Sequence, residues 1–154
     1  MKILIATDGS ACSKNAIEEF CRMFENANDV EIKIASAFEG TIPLEAFGIA
    51  AQNAEKSNLA LQRRAEQVAL DAKEFIAERV PNARIEIIVA MDLAERFIIE
   101  NAEDWSPNLI VVGSHGRSFW GRMTLGSVSD SIIHHAPCSV MVARRKTSAI
   151  PELI

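Results

Sequence analysis

The chain has 154 residues, of which 49% are hydrophobic and 24% charged, a balance that suits one compact domain with its own core and argues against disorder. A net charge of −5 at pH 7 argues against nucleic acid as a partner, because binding to phosphate backbones needs a basic face. Three cysteines without a CxxC spacing argue against a disulfide framework or a structural zinc site, and no apolar run approaches the roughly 20 residues that span a bilayer, so we expect a cytoplasmic protein without membrane contact.

The first half of the chain alternates short apolar runs with helical periodicity. Residues 2–7 are typical of a buried strand, and residues 13–25 carry apolar side chains at helical spacing. Residues 30–38 begin with the alternation of a strand that buries one face. Two glycines and a proline interrupt residues 39–51, which we expect to form a loop or flap.

The second half repeats this alternation. Residues 53–79 carry the apolar stripe of a long helix, which Pro81 ends. Asp92 is placed to cap the N-terminus of the next helix. In chain order, the pattern predicts a helix over 53–79, a strand over 84–90, a helix that carries Leu93 to Trp105, a strand over 109–112, a loop over 113–125, a helix over 126–135 and a strand over 139–143.

Five strands and four helices in strict alternation predict an α/β fold. We expect a single-domain, open, parallel five-stranded sheet with helices on both faces, a Rossmann-like arrangement, because each parallel return needs a crossover. The domain is expected to span residues 1–146, with residues 147–154 as a flexible C-terminal tail. Ligands of such sheets bind beyond the carboxyl ends of the strands, so the residues that follow each strand form the candidate site.

The segment after the fourth predicted strand has the composition of a phosphate-binding loop. Gly113 and Gly116 lack a Cβ, which lets the backbone turn tightly and approach a ligand. Gly126 and Ser127 open the next helix, whose unpaired first amides favour an anion, and Ser129 adds a hydroxyl in the same turn. A turn that merely connects strand to helix stays open as the alternative, because neither a Walker A lysine nor a Rossmann fingerprint is present.

These motifs together resemble a known family. Gly113, Gly116, Gly126 and Ser127 stand in the pattern Gly-x2-Gly-x9-Gly-Ser/Thr, which resembles the ATP-binding signature of universal stress proteins. The opening at residues 3–10, the run at 108–117 and the closing passage at 135–143 are similar to the same family, so the resemblance covers residues 1–145. It implies an adenine nucleotide α-hydrolase-like fold.

The resemblance also implies a ligand, a set of site residues and an assembly. The ligand would be ATP accompanied by Mg²⁺, with AMP or ADP as other adenine ligands of the same site. The partner would be a second copy of the chain, paired through the last strand, Ser139–Ala143. Residues implied in nucleotide binding are Thr7 and Asp8 near the ribose, Ala37 at the adenine, Val112 and Gly113 along the nucleotide, and His115, Gly116, Gly126, Ser127 and Ser129 around the phosphates.

The resemblance favours an ATP-binding regulatory module of the stress response that hydrolyses ATP slowly at most or phosphorylates itself. Two alternatives stay open: a nucleotide-free protein-interaction module of the same fold, and an enzyme that hydrolyses adenine nucleotides. One departure from the family is Met91-Asp92-Leu93, where many members carry Gly-x-Pro after the third strand. For Asp8, capping of the first helix or acceptance of amide hydrogen bonds in the turn competes with the ribose contact. For His115, a structural role competes with catalysis. Arg117 and Arg122 could either meet phosphate or be solvated.

Overall fold

The computed structural model describes residues 1–41, 48–116 and 125–144. Within them, strands and helices alternate along the whole chain. In chain order they are β1 (Lys2–Ala6), α1 (Ala11–Phe24), β2 (Glu31–Phe38), α2 (Ile49–Arg79), β3 (Arg84–Met91), α3 (Ala94–Trp105), β4 (Leu109–Gly113), α4 (Ser127–His135) and β5 (Ser139–Ala143). The expected tail over 147–154 lies outside the described residues, and so do Arg117 and Arg122.

The strands form one parallel sheet in the order β3-β2-β1-β4-β5. β1 lies at the centre, where Ile3 pairs with Ile32 of β2 on one side and with Leu109 of β4 on the other. Because helices cover both faces of the sheet, the middle of β1 is a continuous apolar run: Ile3, Leu4 and Ile5 are all fully buried. The predicted α/β fold is confirmed.

Alternate side chains of the strands pack into two separate hydrophobic cores, one on each face of the sheet. Ile3 and Ile5 point to the core that is shared with α1 and α2, in which Phe20 and Ile76 are fully buried. Leu4 points to the opposite core, which α3 and α4 cover. Among the described residues, no helix is both long and apolar enough to cross a membrane.

Two helices begin earlier than the sequence pattern predicts. α1 begins at Ala11, because the hydroxyl of Ser10 accepts a 3.2 Å hydrogen bond from the amide of Ser13 and caps the helix there. α2 begins at Ile49, directly after Gly48, whose φ of 72° is a backbone conformation that favours glycine. The predicted flap over 39–51 was therefore wrong at its end, and its residues 42–47 lie outside the described residues.

The prediction that Asp92 caps α3 was wrong. The helix begins at Ala94, its N-cap residue is Leu93, and no side chain caps it. The Asp92 carboxylate instead accepts hydrogen bonds from the Leu93 amide at 2.6 Å and from Nε of Arg96 at 2.8 Å. The hydrogen bond from Arg96 is the main reason that the pKa of Asp92 lies below its ordinary value. The acid that departs from the family pattern is thus paired with an arginine one turn further on.

The thiol of Cys21 gives the stability of the fold a defined pH dependence. Cys21 is 3% exposed, and burial raises its pKa from 9.0 to about 11, although the charge of Arg79 acts in the opposite direction. As pH rises above 9, the unfolded chain loses this proton before the folded chain does. The free energy of unfolding should therefore fall between pH 9 and 11 by at most about 1.4 kcal/mol per pH unit.

Urea unfolding of the wild type and of Cys21→Ala at pH 8, 9, 10 and 11 measures this contribution. The variant should be less stable throughout because it lacks the buried sulfur, but its stability should decline less steeply above pH 9. Parallel declines in the two proteins would show that Cys21 ionisation does not affect folding.

Candidate functional site

A cleft of about 490 Å³ lies at the carboxyl edge of the sheet. It sits where β1 separates β2 from β4, which is the point at which the chain changes from one side of the sheet to the other and where open α/β sheets bind ligands. Its walls come from the ends of these three strands, from α2 and α3, and from the start of α4.

The structure brings all ten sequence-predicted site residues to this one cleft. Those after or within the strands are Thr7, Asp8, Ala37, Val112 and Gly113, and those around the β4–α4 connection are His115, Gly116, Gly126, Ser127 and Ser129. The topology explains this convergence, because the carboxyl ends of neighbouring parallel strands share one edge.

Local hydrogen bonds stabilise the turn between β1 and α1, and Asp8 takes part in one of them. Oδ1 of Asp8 accepts from the Ser10 amide at 2.9 Å, and the hydroxyl of Thr7 donates to Oγ of Ser13 at 3.2 Å. Gly9, with a φ of 75°, lets the chain turn back so that its amide reaches the Thr7 hydroxyl at 3.3 Å. Ser10 caps α1, so Asp8 is not the helix cap, but Asp8 does accept an amide bond in the turn, as the other part of the alternative predicted.

Gly113 has a packing role that the sequence did not reveal. A Cβ at this position would lie 2.7 Å from the backbone carbon of Cys12 and 2.7 Å from the backbone nitrogen of Ser13. These atoms belong to the first turn of α1 and cannot move aside alone. The missing side chain therefore lets α1 rest directly on the end of β4, in addition to opening the backbone towards the cleft.

The start of α4 is fixed to the end of β4 by two hydrogen bonds to one carbonyl. The Gly126 amide donates to the oxygen of Ser114 at 2.8 Å, and the hydroxyl of Ser129 reaches the same oxygen at 3.0 Å. The Ser129 hydroxyl also lies 2.9 Å from the oxygen of Gly126. Ser129 is buried and its hydroxyl serves these two carbonyls, so its side chain positions the helix start rather than presenting a donor to the cleft.

The first turn of α4 lines the cleft, and its first amides have no acceptor among the described residues. No side chain caps the helix at Gly126, and the first intrahelical bond runs from the Asp130 amide to the Gly126 oxygen at 2.9 Å. The amides of Ser127, Val128 and Ser129 precede it and have no acceptor within the helix. The Ser127 hydroxyl is exposed and makes no hydrogen bond to any described residue. This turn can accept an anion without losing any existing bond.

His115 is held beside the neighbouring serine. Its Nδ1 lies 3.1 Å from Oγ of Ser114, and Ser114 is buried whereas the ring of His115 lines the cleft. This contact orients the imidazole, and the choice between a structural and a catalytic role for His115 stays a prediction.

Helices α2 and α3 supply walls that sequence reasoning did not assign to the site. Leu61, Arg64 and Ala65 come from α2 and Glu95 and Ile98 from α3, and Leu93 and Ala94 also line the cleft. Leu61 and Ala65 belong to the predicted core stripe of α2, but this stripe continues beyond the edge of the sheet and its upper part faces the cleft. The sequence pattern carries no signal that separates the two parts, because both have apolar residues at the same helical spacing.

A reciprocal pair of hydrogen bonds holds the segment after β2 against α2. The Thr41 amide donates to Oδ1 of Asn58 at 2.9 Å, and Nδ2 of Asn58 donates to the Thr41 oxygen at 2.9 Å. The side chain of Asn58 thereby forms the two hydrogen bonds that a neighbouring strand would otherwise form with the backbone of Thr41. The wall formed by Phe38 and Glu39 is consequently fixed to the wall formed by Leu61 and Arg64.

The lining of the cleft combines apolar and polar groups. Small and aliphatic side chains come from β1, β2, α2 and α3, together with the charged residues Glu39, Arg64 and Glu95, and the β1 and β4 connections add hydroxyls and amides. Within residues 1–41, 48–116 and 125–144, no three His, Cys, Asp or Glu side chains cluster as a metal site would require. Such a cleft suits a ligand with a flat apolar group and an anionic group.

Comparison with known proteins agrees with this architecture. A model described as "Universal stress protein family" matches residues 1–144. The chain belongs to this family. This universal stress protein is 29% identical over 151 residues to a putative universal stress protein of Staphylococcus haemolyticus, with 97% of this chain and 87% of that protein covered.

Other relatives are matched over shorter stretches. A universal stress protein A homologue of Coxiella burnetii is 43% identical over 61 residues, which are 40% of this chain and 41% of that protein. Matches to universal stress proteins of Mycobacterium tuberculosis cover 28% of those proteins. The matched part of this chain thus spans less than two thirds of the length of these relatives.

Solved structures of the family share the fold. UspA from Lactobacillus plantarum superposes with a TM-score of 0.71 at 23% identity and covers 94% of this chain and 97% of that one. An Arabidopsis thaliana family member with AMP bound superposes with a TM-score of 0.63 at 20% identity, covering 99% and 96% of the two chains. A family member from Archaeoglobus fulgidus in complex with dAMP gives 0.58 at 14% identity, covering 92% and 96%.

Alanine substitutions at Gly113 and Gly116 should have different effects on stability, because a Cβ would meet packed backbone at the first position and little at the second. Gly113→Ala should lower the free energy of unfolding by about 2 kcal/mol or more, because its Cβ meets the backbone of α1. Gly116→Ala should lower it by less than about 1 kcal/mol, since the described atom nearest to its Cβ is Oδ2 of Asp8, at 3.2 Å, at the end of a side chain. Chemical denaturation measures both, and equal losses would contradict the packing role of Gly113.

Proposed function

We propose that this chain binds an adenine nucleotide in the cleft and acts as a regulatory module of the stress response. ATP is the proposed ligand, and AMP or ADP would occupy the same site. The observation that carries the proposal is the first turn of α4, which no described side chain caps and which lines a cleft that also has apolar walls. A phosphate group and a purine base are complementary to these two parts.

Known structures of the same fold support the choice of ligand. The Arabidopsis thaliana and Archaeoglobus fulgidus proteins were solved with AMP and dAMP, respectively. Both ligands combine adenine with a phosphate, which is the combination that the walls of this cleft suit.

The proposal gives each group of residues a role. Thr7 and Asp8 at the end of β1 would contact the ribose, and the backbone of Ala37 would contact the base. Val112 and Gly113 would lie along the nucleotide. The backbone at His115 and Gly116 and the first turn of α4 from Gly126 to Ser129 would surround the phosphates, with Ser129 acting through its amide because its hydroxyl is committed to carbonyls.

Mg²⁺ would enter with the nucleotide. The described residues build no metal site of their own, whereas Asp8 lines the cleft and could bind the ion through one carboxylate. Mg²⁺ usually keeps several waters and is held by phosphates together with one or two carboxylates, so this donor set fits the ion. The ion would offset phosphate charge beside an acidic group.

A change at Ser127 tests nucleotide binding without weakening the helix. Ser127→Asp places a negative charge in the first turn of α4. This charge interacts favourably with the helix dipole and so stabilises the helix, but it repels a phosphate. We expect nucleotide affinity to fall at least tenfold while the free energy of unfolding stays equal or rises. The measurements are the nucleotide released by acid from the purified protein and calorimetric titration with ATP and Mg²⁺.

Ser57→Asp is the matched control, because Ser57 is exposed on α2 and does not line the cleft. It should bind nucleotide as the wild type does. If the wild type neither releases nor binds an adenine nucleotide, the proposal is wrong and the interaction module of the same fold takes its place.

We propose in addition that two copies of the chain form a homodimer through β5. β5 pairs with β4 on one side, and no strand of the described residues covers its other side. The oxygen of Ala143 accepts from the Ser114 amide at 3.0 Å, so Ala143 faces β4. Because successive residues of a strand alternate, the amide of Val142 points to the outer edge and would bond the second copy.

Val142→Pro should weaken the dimer at least tenfold, since proline removes the outward amide while the ladder with β4 stays complete. Val142→Ala is the control: it reduces the side chain and retains the amide, and should weaken the dimer less. Sedimentation velocity over a concentration series measures both variants. A monomeric wild type, or an unchanged dimer in Val142→Pro, would contradict pairing through this edge.

A further inference from the structure

The charges around the cleft are unfavourable for the phosphorylated ligand that it is proposed to bind. Three carboxylates of the described residues line it: Asp8, Glu39 and Glu95. Among the described residues, Arg64 is the arginine or lysine that lines it. A phosphate group would meet net repulsion in such a cleft unless a cation close to it compensates the charge.

The position of Arg64 follows from a contact one helical turn away. Val68 packs against the turn after β1, where a Cβ on Gly9 would lie 2.8 Å from Cγ2 of Val68. Arg64 precedes Val68 by four residues and so lies on the same face of α2. α2 runs antiparallel to the strands, because it returns the chain from β2 to the parallel strand β3. Arg64 therefore lies about 6 Å further towards the carboxyl edge, beside the turn that carries Asp8.

The guanidinium of Arg64 is available to a ligand. Within the described residues it makes no hydrogen bond or ion pair, whereas Arg84 and Arg96 each pair with a carboxylate. Arg63 is its neighbour on α2 and is likewise exposed, but it does not line the cleft. Adjacent residues on a helix point about 100° apart, so Arg63 and Arg64 point in different directions. Arg64 faces the site and Arg63 does not.

We propose that Arg64 is the anion-selecting residue of the cleft. Its guanidinium pairs with a phosphate of the ligand from the α2 side, opposite the amides of α4, and makes the site prefer phosphorylated ligands over nucleosides. This inference rests on the proposed function, which it deepens by assigning the choice between nucleotide and nucleoside to one side chain.

The experiment compares Arg64→Gln with Arg63→Gln, two variants of identical composition and charge. Calorimetric titrations use ATP, AMP, adenosine and inorganic tripolyphosphate at low and moderate salt. Arg64→Gln should weaken AMP and ATP on the order of tenfold, because a charge-assisted hydrogen bond is lost, and should change adenosine less than twofold. Arg63→Gln should change none of them more than twofold. Arg64→Lys should restore part of the loss, since it keeps the charge without the planar fork.

The outcomes distinguish this inference from the proposed function. If ATP binds the wild type and both glutamine variants equally, Arg64 has no such role and the nucleotide site stands. Equal weakening of adenosine and ATP by Arg64→Gln also overturns the inference, because Arg64 would then support the wall and not the anion. If the wild type binds tripolyphosphate through Arg64 but no adenine ligand, the anion site stands and the nucleotide assignment fails. Binding of none of the four ligands refutes both.

Discussion

The burial of β1 on both faces is the constraint on which the rest of the molecule depends. Ile3, Leu4 and Ile5 can be fully removed from water only if β2 and β4 flank the strand and helices cover both sides. That arrangement places the end of β1 in the middle of the carboxyl edge. Thr7 and Asp8 consequently emerge between the ends of β2 and β4, and the cleft forms around them. The same apolar run that stabilises the fold thus determines where a ligand can bind.

Small polar side chains hold the two connections that border the cleft. Thr7, Ser10 and Ser13 bind one another in the turn before α1, and Ser129 ties the start of α4 to β4. Each of these hydroxyls binds a backbone group or another hydroxyl, and the hydroxyl of Ser129 reaches back to the oxygen of Ser114, so the connections need no long side chain for support. This leaves the backbone amides of α4 exposed to the cleft and keeps the acidic and basic groups on its walls.

The sequence was sufficient to predict the architecture, because this follows from local periodicity and from the crossovers that parallel strands need. The ten candidate site residues, which the family resemblance implied, all line one cleft, and their role in binding stays a prediction. β5 was predicted with its observed bounds, and β3 to within one residue. The errors occurred where tertiary contacts override local signals. Asp92 is of a residue type that often caps helices, but its carboxylate accepts a hydrogen bond from Arg96 instead. α2 begins at Ile49, four residues before the start that the sequence pattern predicted. Arg64 could not be assigned, since only the packing of Val68 on Gly9 shows which face of α2 turns to the cleft.

The two bonds to the oxygen of Ser114 have a consequence for how this protein can vary. They fix the start of α4 directly to the end of β4, so the α4 amides are held by the Ser114 carbonyl and not by the side chains of the residues that join Gly116 to Leu125. The identity of those side chains can therefore change among related proteins at the fixed nine-residue spacing of the glycine motif, while the anion-facing end of the helix stays in place.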